Sequence, residues 1–170
     1  IFKKSKIIKV KKILNNINWV EILNGIPKFI HGDLQFDNIL KTSKKKFKLI
    51  DWRPTFGKSI TVGDLYYDYA KLLGGLYINY DLVKQNKFLF KLENKKLRLE
   101  IPNRKNSKKL IDFFENYLKK KKIDLKKVRV ITGLIFLNMS PLHHHPFDKL
   151  LFIYGKYFFK KNLKINYNKN

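Results

Sequence analysis

Four polar side chains that could carry out catalysis lie close together in the first third of the chain. The stretch FIHGDLQFDNILKTSKKKFKLIDWR, residues 29–53, contains His31, Asp33, Asn38 and Asp51 among charged residues that are mostly lysine. The amide oxygen of Asn38 and the carboxylate of Asp51 are ligands of the type that Mg²⁺ prefers in proteins. Asp33 is a second carboxylate, which could accept the proton of a hydroxyl that attacks a phosphoryl group. The residue types therefore favour magnesium-dependent phosphoryl transfer.

A short β-hairpin is predicted to position these side chains. Residues 39–41 and 47–50 have the pattern of two strands, and the polar residues 42–46 have that of the turn between them. If the turn is symmetric, Asn38 lies opposite Asp51, and cross-strand partners have Cβ atoms about 5 Å apart. We therefore expect the amide and the carboxylate to converge at the open end of the hairpin, beside the preceding loop.

A helix that carries two further carboxylates is predicted to follow Gly63. Asp64 is well placed as its N-cap, because a carboxylate there can accept hydrogen bonds from backbone N–H groups of the first turn. Asp68 falls on the same face as Leu65 and Leu72. Because burying a carboxylate is costly unless it accepts hydrogen bonds, we expect Asp68 to bind donors in a neighbouring element.

The rest of the chain is predicted to form helices and one further hairpin. A helix that starts at Ser5 is predicted to reach Ile17, and Asn18 is predicted to cap a second, shorter one that ends at Gly25. Residues 88–101 alternate as a hairpin, and helices are predicted over 107–122, 124–138 and 146–161, started by Ser107, Asp124 and Pro146. The predicted fold class is α+β, mainly helical with two short β-hairpins.

The composition is that of a globular protein. The chain has 170 residues, of which 44% are apolar, and it has no cysteine, which excludes disulfides and thiolate zinc sites. The longest uncharged run, residues 130–147, contains Asn138, Pro141 and three histidines, so we predict no membrane span. A cytoplasmic location is expected.

The net charge of +25 permits two interpretations. A strongly basic protein can bind nucleic acid through phosphates. However, only four of the 38 basic residues are arginine, and the lysines are spread along the whole chain. Because nucleic-acid recognition tends to use the planar guanidinium group, we favour a solvated lysine surface and consider a nucleic-acid partner unlikely.

The order of the motifs resembles the aminoglycoside phosphotransferase and choline kinase family, the small-molecule branch of the kinase-like fold. The motifs are HGDLQFDNIL at 31–40, LIDWR at 49–53 and GDLYYDYAKL at 63–72. Protein kinases carry H-R-D-x-x-x-x-N and D-F-G at the first two positions, and here Gly32 replaces the arginine. The resemblance covers residues 29–77. Within the family, the sequence is similar in particular to bacterial kinases of sugar and cell-surface polysaccharide metabolism.

The resemblance implies a role for each residue. Asp33 would be the catalytic base, Asn38 and Asp51 would hold Mg²⁺ and the ATP phosphates, His31 would brace the loop, and Asp68 would tie its helix to that loop. The implied substrates are ATP and a small metabolite with an acceptor hydroxyl, a sugar or an amino-alcohol.

The histidine tract at 143–145 looks like a metal site but is not predicted to be one. Three adjacent residues in an extended segment point to alternating sides and cannot easily bind one ion, so a loop between two helices is expected. By the resemblance this loop faces the acceptor pocket, which makes His143 and His144 candidate substrate contacts.

The resemblance also implies a second lobe. Family members carry an N-terminal lobe of strands, with a loop that covers the phosphates and a lysine that pairs with them. Only 30 residues precede His31, and they have the pattern of a helix without a glycine-rich turn. We therefore expect residues 1–165 to be the C-terminal catalytic lobe, residues 166–170 to be a tail, and the nucleotide-binding lobe to be a missing part of the same protein. The fragment alone is expected to be inactive.

Each candidate residue also has a purely structural interpretation. His31 could be a core histidine, Asp33 and Asn38 could be turn residues that bind their own backbone, and Asp64 could be a cap alone. The alternative function is a catalytically silent kinase-like binding or scaffold domain, associated with nucleic acid through its basic surface.

Overall fold

The computed structural model describes residues 9–43, 45–85, 87–93, 96–100 and 106–163. These residues form an α+β fold in which helices dominate, as predicted. The helices are α1 (Val10–Asn15), α2 (Trp19–Leu23), α3 (Leu65–Tyr77), α4 (Tyr80–Lys84), α5 (Ser107–Lys120), α6 (Leu125–Met139) and α7 (Phe147–Asn162), with single 3₁₀ turns at Phe36–Asn38 and Ser140–Leu142.

The strands form three antiparallel pairs. They are β1 (Pro27–Lys28) with β4 (Gly63–Asp64), β2 (Ile39–Lys41) with β3 (Phe47–Leu49), and β5 (Leu89–Glu93) with β6 (Lys96–Glu100). The last two pairs are the predicted hairpins. The first pair was not predicted, and it joins the segment before the loop at 31–33 to the start of α3.

The core lies where α6 packs between α3 and α7. α6 is apolar on most of its circumference, which suits a helix that is covered on several sides. Its Phe136 is buried against Phe158 of α7, with ring centroids 5.7 Å apart. Gly155 allows close approach of α7, because a Cβ there would lie 3.0 Å from the carbonyl oxygen of Gly133 in α6.

α2 is held to the core by a buried lysine. The ammonium group of Lys127 in α6 donates a hydrogen bond of 2.9 Å to the carbonyl oxygen of Glu21 and another to that of Asn24. It also lies 4.3 Å from the centre of the Tyr66 ring. This lysine therefore satisfies carbonyl groups at the end of α2, in contrast to the solvated lysines of the surface.

The predicted helix boundaries agree with the structure in the C-terminal half. α5, α6 and α7 each begin and end within two residues of the prediction, and Asp124 caps α6 by accepting the N–H of Lys127 at 3.1 Å. Ser107 is the first helical residue of α5, because the N-cap is Asn106, which has a positive φ of 69°. Ser5 lies outside the described residues.

The predicted register of the first hairpin was wrong by one residue. Ile39 pairs with Leu49, and the carbonyl oxygen of Asn38 accepts the N–H of Ile50 at 3.1 Å, so Asn38 lies opposite Ile50 instead of Asp51. The reason is the turn, which is closed by Thr42. Both its N–H and its hydroxyl donate to the carbonyl oxygen of Lys46, at 2.8 and 3.2 Å, and this makes the connection one residue shorter than the symmetric turn we assumed.

No helix among the described residues is both long enough and apolar enough to cross a membrane.

Candidate functional site

The loop that carries His31 and Asp33 is anchored by the carboxylate of Asp68. Asp68 is buried in α3, and its two oxygens accept the N–H groups of His31 at 2.7 Å and of Gly32 at 2.9 Å. Burial raises the pKa of Asp68 above its ordinary value, and the two backbone N–H groups oppose that effect. The prediction that Asp68 binds donors in a neighbouring element is confirmed.

Asp68→Ala is expected to lower the free energy of unfolding by about 3 kcal/mol, because hydrogen bonds to a charged group contribute roughly 1.5–3 kcal/mol each and two buried N–H groups lose their acceptor. Urea unfolding followed by circular dichroism measures this. Asp112→Ala is the control, because Asp112 is exposed on α5. Equal unfolding midpoints for the two variants would contradict the anchoring role.

Asp64 caps α3, as predicted. One of its carboxylate oxygens accepts the N–H of Tyr66 at 3.0 Å and also that of Ile26 at 3.0 Å. The second bond fixes the chain just before β1. Asp64 is therefore a structural support of the site, placed where the entering segment meets the helix.

His31 bridges the loop and the hairpin. Its ring is buried, Nδ1 accepts the N–H of Asp33 at 3.2 Å, and Nε2 lies 2.9 Å from the carbonyl oxygen of Ile50. With Nδ1 as an acceptor, Nε2 must carry the proton and donate to Ile50. Both nitrogens are thus used inside the protein, and Trp52 covers the ring with centroids 4.7 Å apart. These contacts fit the bracing role and not proton transfer.

Asn38 is buried beside the backbone of the loop that carries His31 and Asp33. Its Nδ2 donates to the carbonyl oxygen of Asp33 at 2.9 Å. This bond uses the nitrogen of the amide. The amide oxygen, which is the atom that a cation would bind, does not take part in it. The residue therefore has a fixed side chain of the right type for a metal ligand.

Asp51 follows the hairpin and is exposed, with a positive φ of 59°. The chain then returns to the loop, because the N–H of Arg53 donates to the carbonyl oxygen of His31 at 3.0 Å. Within the described part of the chain, no group of three or more His, Asp or Glu is arranged to hold a metal. One carboxylate and one amide are ligands of types that Mg²⁺ accepts, since the ion keeps several waters and binds substrate phosphates through its other positions. The expected pairing of Asn38 with Asp51 is not present in the hairpin, where Asn38 lies opposite Ile50.

Asp33 is held by two cations that the sequence analysis missed. The residue is only 4% exposed, Lys71 Nζ lies 2.6 Å from its Oδ1, and Arg53 Nη2 lies 3.1 Å from its Oδ2. The contact with Lys71 is ionic, because Oδ1 receives no hydrogen bond of good angle. A signal for Lys71 existed in the sequence, since it follows Asp68 by three residues and so shares its helix face.

Two tyrosines and a histidine lie within electrostatic range of this ion-pair group. Burial and the negative charge of Asp33 raise the pKa of Tyr67 and of Tyr80 above the ordinary value. Burial, then the charges of His144 and Lys71, lower the pKa of His143, so its imidazole is neutral at pH 7. These three side chains are therefore neutral at pH 7, whereas the described ionic partners of Asp33 are Lys71 and Arg53.

The histidine tract forms a loop between two helical segments, as predicted. His143 is half-buried and packs on Phe147 with ring centroids 4.9 Å apart, on the side of Lys71. His144 is exposed, and His145 Nδ1 lies 3.4 Å from an oxygen of Asp148. His143 therefore lies within electrostatic range of Lys71, and no described hydrogen bond or ion pair joins His143 or His144 to Asp33.

Among protein-family models, curated proteins and solved structures, none matches the chain. The comparisons therefore assign no family, and the functional interpretation depends on the motifs and on the geometry of the site.

Proposed function

We propose that the site around Asp33 transfers the γ-phosphoryl group of ATP, with Mg²⁺, to a hydroxyl of a small metabolite, a sugar or an amino-alcohol. The observation that carries the proposal is the arrangement of one loop. Asp68 holds the backbone at residues 31 and 32, and the Asn38 amide holds the backbone at Asp33. A buried carboxylate and an amide of the type that would bind the cation are thereby held next to each other.

Asp33 would take the proton of the acceptor hydroxyl. The hydroxyl oxygen then forms a bond to the γ-phosphorus, the bond between that phosphorus and the bridging oxygen of ATP breaks, and ADP leaves. Asn38 and Asp51 would bind Mg²⁺, which supplies charge neutralisation at the phosphates when it is bound. His31 would keep the loop against the hairpin while these groups act.

The mainly helical fold is consistent with the C-terminal lobe of a kinase-like protein, and this is part of the proposal. In that case the adenine and most of the triphosphate would be bound by a separate N-terminal lobe. His143 would contact the acceptor from the loop before α7, because it is neutral and lies near Lys71. The protein would act in the cytoplasm on small molecules.

The protein expressed from its complete coding sequence is expected to consume ATP only when both Mg²⁺ and a hydroxyl compound of the right class are present. A coupled ADP assay against panels of sugars and amino-alcohols measures this, with and without chelator. The Asp112→Asn protein should behave like wild type. If no panel compound stimulates ATP consumption and the protein instead binds duplex DNA or RNA at nanomolar concentration in physiological salt, the nucleic-acid scaffold interpretation replaces this one.

A further inference from the structure

The side chains of the two cations that hold Asp33 differ greatly in solvent exposure. The side chain of Lys71 is 11% exposed, whereas that of Arg53 is 59% exposed. Both contact the same carboxylate, one at each oxygen. Oδ1 of the buried carboxylate therefore contacts a largely buried cation, and Oδ2 contacts a largely exposed one.

Lys71 is fixed by its place in the fold. It lies one turn after Asp68 in α3, so a single helix face supplies the anchor of the loop backbone and the partner of the loop carboxylate. A lysine confined in this way cannot leave without exposing the buried oxygen of Asp33. It is suited to hold the carboxylate in one orientation.

Arg53 has a fixed backbone and an accessible side chain. Its N–H is bonded to His31, and its Cβ would lie 2.7 Å from a Cβ at position 32, where only glycine fits at a φ of +76°. Beyond Cβ the side chain extends towards solvent. The Arg53 side chain is 59% exposed, so water can solvate the guanidinium group when it leaves, and Lys71 still compensates the charge of the buried Asp33 carboxylate.

We propose that Arg53 is a substrate-binding residue that exchanges Asp33 Oδ2 for a phosphate group of the bound substrate, and that Lys71 is a positioning residue that stays on Oδ1. This rests on the proposed function, because a base must present an oxygen to the acceptor hydroxyl and both oxygens are now engaged. Oδ1 is buried under Lys71. Departure of Arg53 would leave Oδ2 without its described hydrogen-bond donor and open that oxygen to the acceptor hydroxyl.

The chemistry of arginine explains why the exchange favours phosphate. The planar guanidinium group binds phosphate through two parallel hydrogen bonds, and such charge-assisted pairs are stronger than single ones. The contact with Asp33 uses a single nitrogen of the fork. A phosphate at this position also brings negative charge towards Asp33, and Lys71, which stays on Oδ1, compensates part of that charge.

Binding of phosphate tests the exchange without requiring turnover. The protein expressed from its complete coding sequence is titrated with ADP and with glucose 1-phosphate, and adenosine and glucose serve as the uncharged counterparts. Binding is followed by NMR at the indole N–H of Trp52, the residue next to Arg53. Arg53→Gln is expected to lower the affinity for at least one phosphate compound about tenfold, because one charge-assisted pair is lost. The affinity for its uncharged counterpart should stay unchanged.

Lys58→Gln is the matched control, because Lys58 is an exposed cation five residues further along the same segment. It should change the affinities less than about twofold, as expected for a screened surface charge. If Arg53→Gln loses affinity for ADP alone, the phosphate that Arg53 binds belongs to the nucleotide. If it loses affinity for glucose 1-phosphate alone, the phosphate belongs to the acceptor. Either result supports the exchange. Equal affinities of Arg53→Gln and Lys58→Gln for both compounds would overturn it, whatever the activity of the protein.

Lys71 is tested by kinetics in the same protein. Lys71→Met should lower kcat by about tenfold or more with an unchanged KM for ATP, and Lys71→Arg should restore part of kcat, because the loss is one of orientation and charge at the base. Equal kcat values for Lys71→Met and wild type would refute the positioning role. Failure of the wild-type protein to turn over ATP would refute the proposed function alone, since the binding titration stands without it.

Discussion

Asp33→Asn is expected to lower kcat by about 10² to 10⁴ while the affinity for Mg²⁺ and ATP stays almost unchanged. The amide has nearly the shape of the carboxylate but cannot accept the proton of the acceptor hydroxyl. The loop should keep its path, because Asp68 binds backbone groups at positions 31 and 32 and not the side chain of Asp33. Steady-state kinetics with saturating acceptor and varied ATP measures the effect.

The stability of this variant must be measured beside its activity. Lys71 is largely buried and loses its charged partner, which costs free energy because an ammonium group is left without compensation. Activities are therefore compared at temperatures where circular dichroism shows both proteins to be folded. A kcat within about twofold of wild type would exclude Asp33 as the base, since positioned proton transfer contributes at least tenfold more than that.

Asp51→Asn is expected to abolish turnover at ordinary magnesium concentrations and to regain part of it in excess magnesium. The substitution removes a charge from the ligands of the ion, so the magnesium concentration for half-maximal activity should rise. Because Asp51 is exposed and lies outside the hairpin ladder, the free energy of unfolding should stay within about 0.5 kcal/mol of wild type, the range of ordinary surface substitutions.

Kinetics at several fixed magnesium concentrations separate the two carboxylates. If excess magnesium restored Asp33→Asn but not Asp51→Asn, the two roles would be exchanged. If neither substitution changed activity, phosphoryl transfer at this site would be refuted. Asn38→Ala is less informative, because it also removes the hydrogen bond that holds the carbonyl of Asp33.

The sequence predicted those parts of the fold that short-range chemistry determines. α6 begins where Asp124 can cap it, and α3 begins at Asp64 for the same reason. Asp68 was predicted to accept hydrogen bonds because burial of a lone carboxylate is too costly. The identity of its donors, two N–H groups of a loop 36 and 37 residues away, depends on the tertiary packing and not on any local pattern.

The features that the sequence did not predict also depend on contacts that no local pattern determines. In a chain with 38 basic residues, the spacing of Lys71 from Asp68 is a weak signal for one of the two cations that reach Asp33, and nothing marks Arg53. Which cations reach Asp33 depends on which way α3 faces the loop. The pairing of β1 with β4 involves two residues on each side, too few for a pattern. The register of the first hairpin depended on Thr42, whose two hydrogen bonds determine the length of the turn.

The anchoring by Asp68 separates the path of the loop from its reactivity. Because the contacts are made to peptide groups, they are indifferent to most side chains that the loop carries, Gly32 excepted. If Asp33 is the base, as proposed, a lineage could replace it and lose catalysis in a single step while the scaffold around it persisted, and the reverse change would restore it as easily. An active transferase and an inactive descendant would then share one fold, and the residue at position 33 would distinguish them.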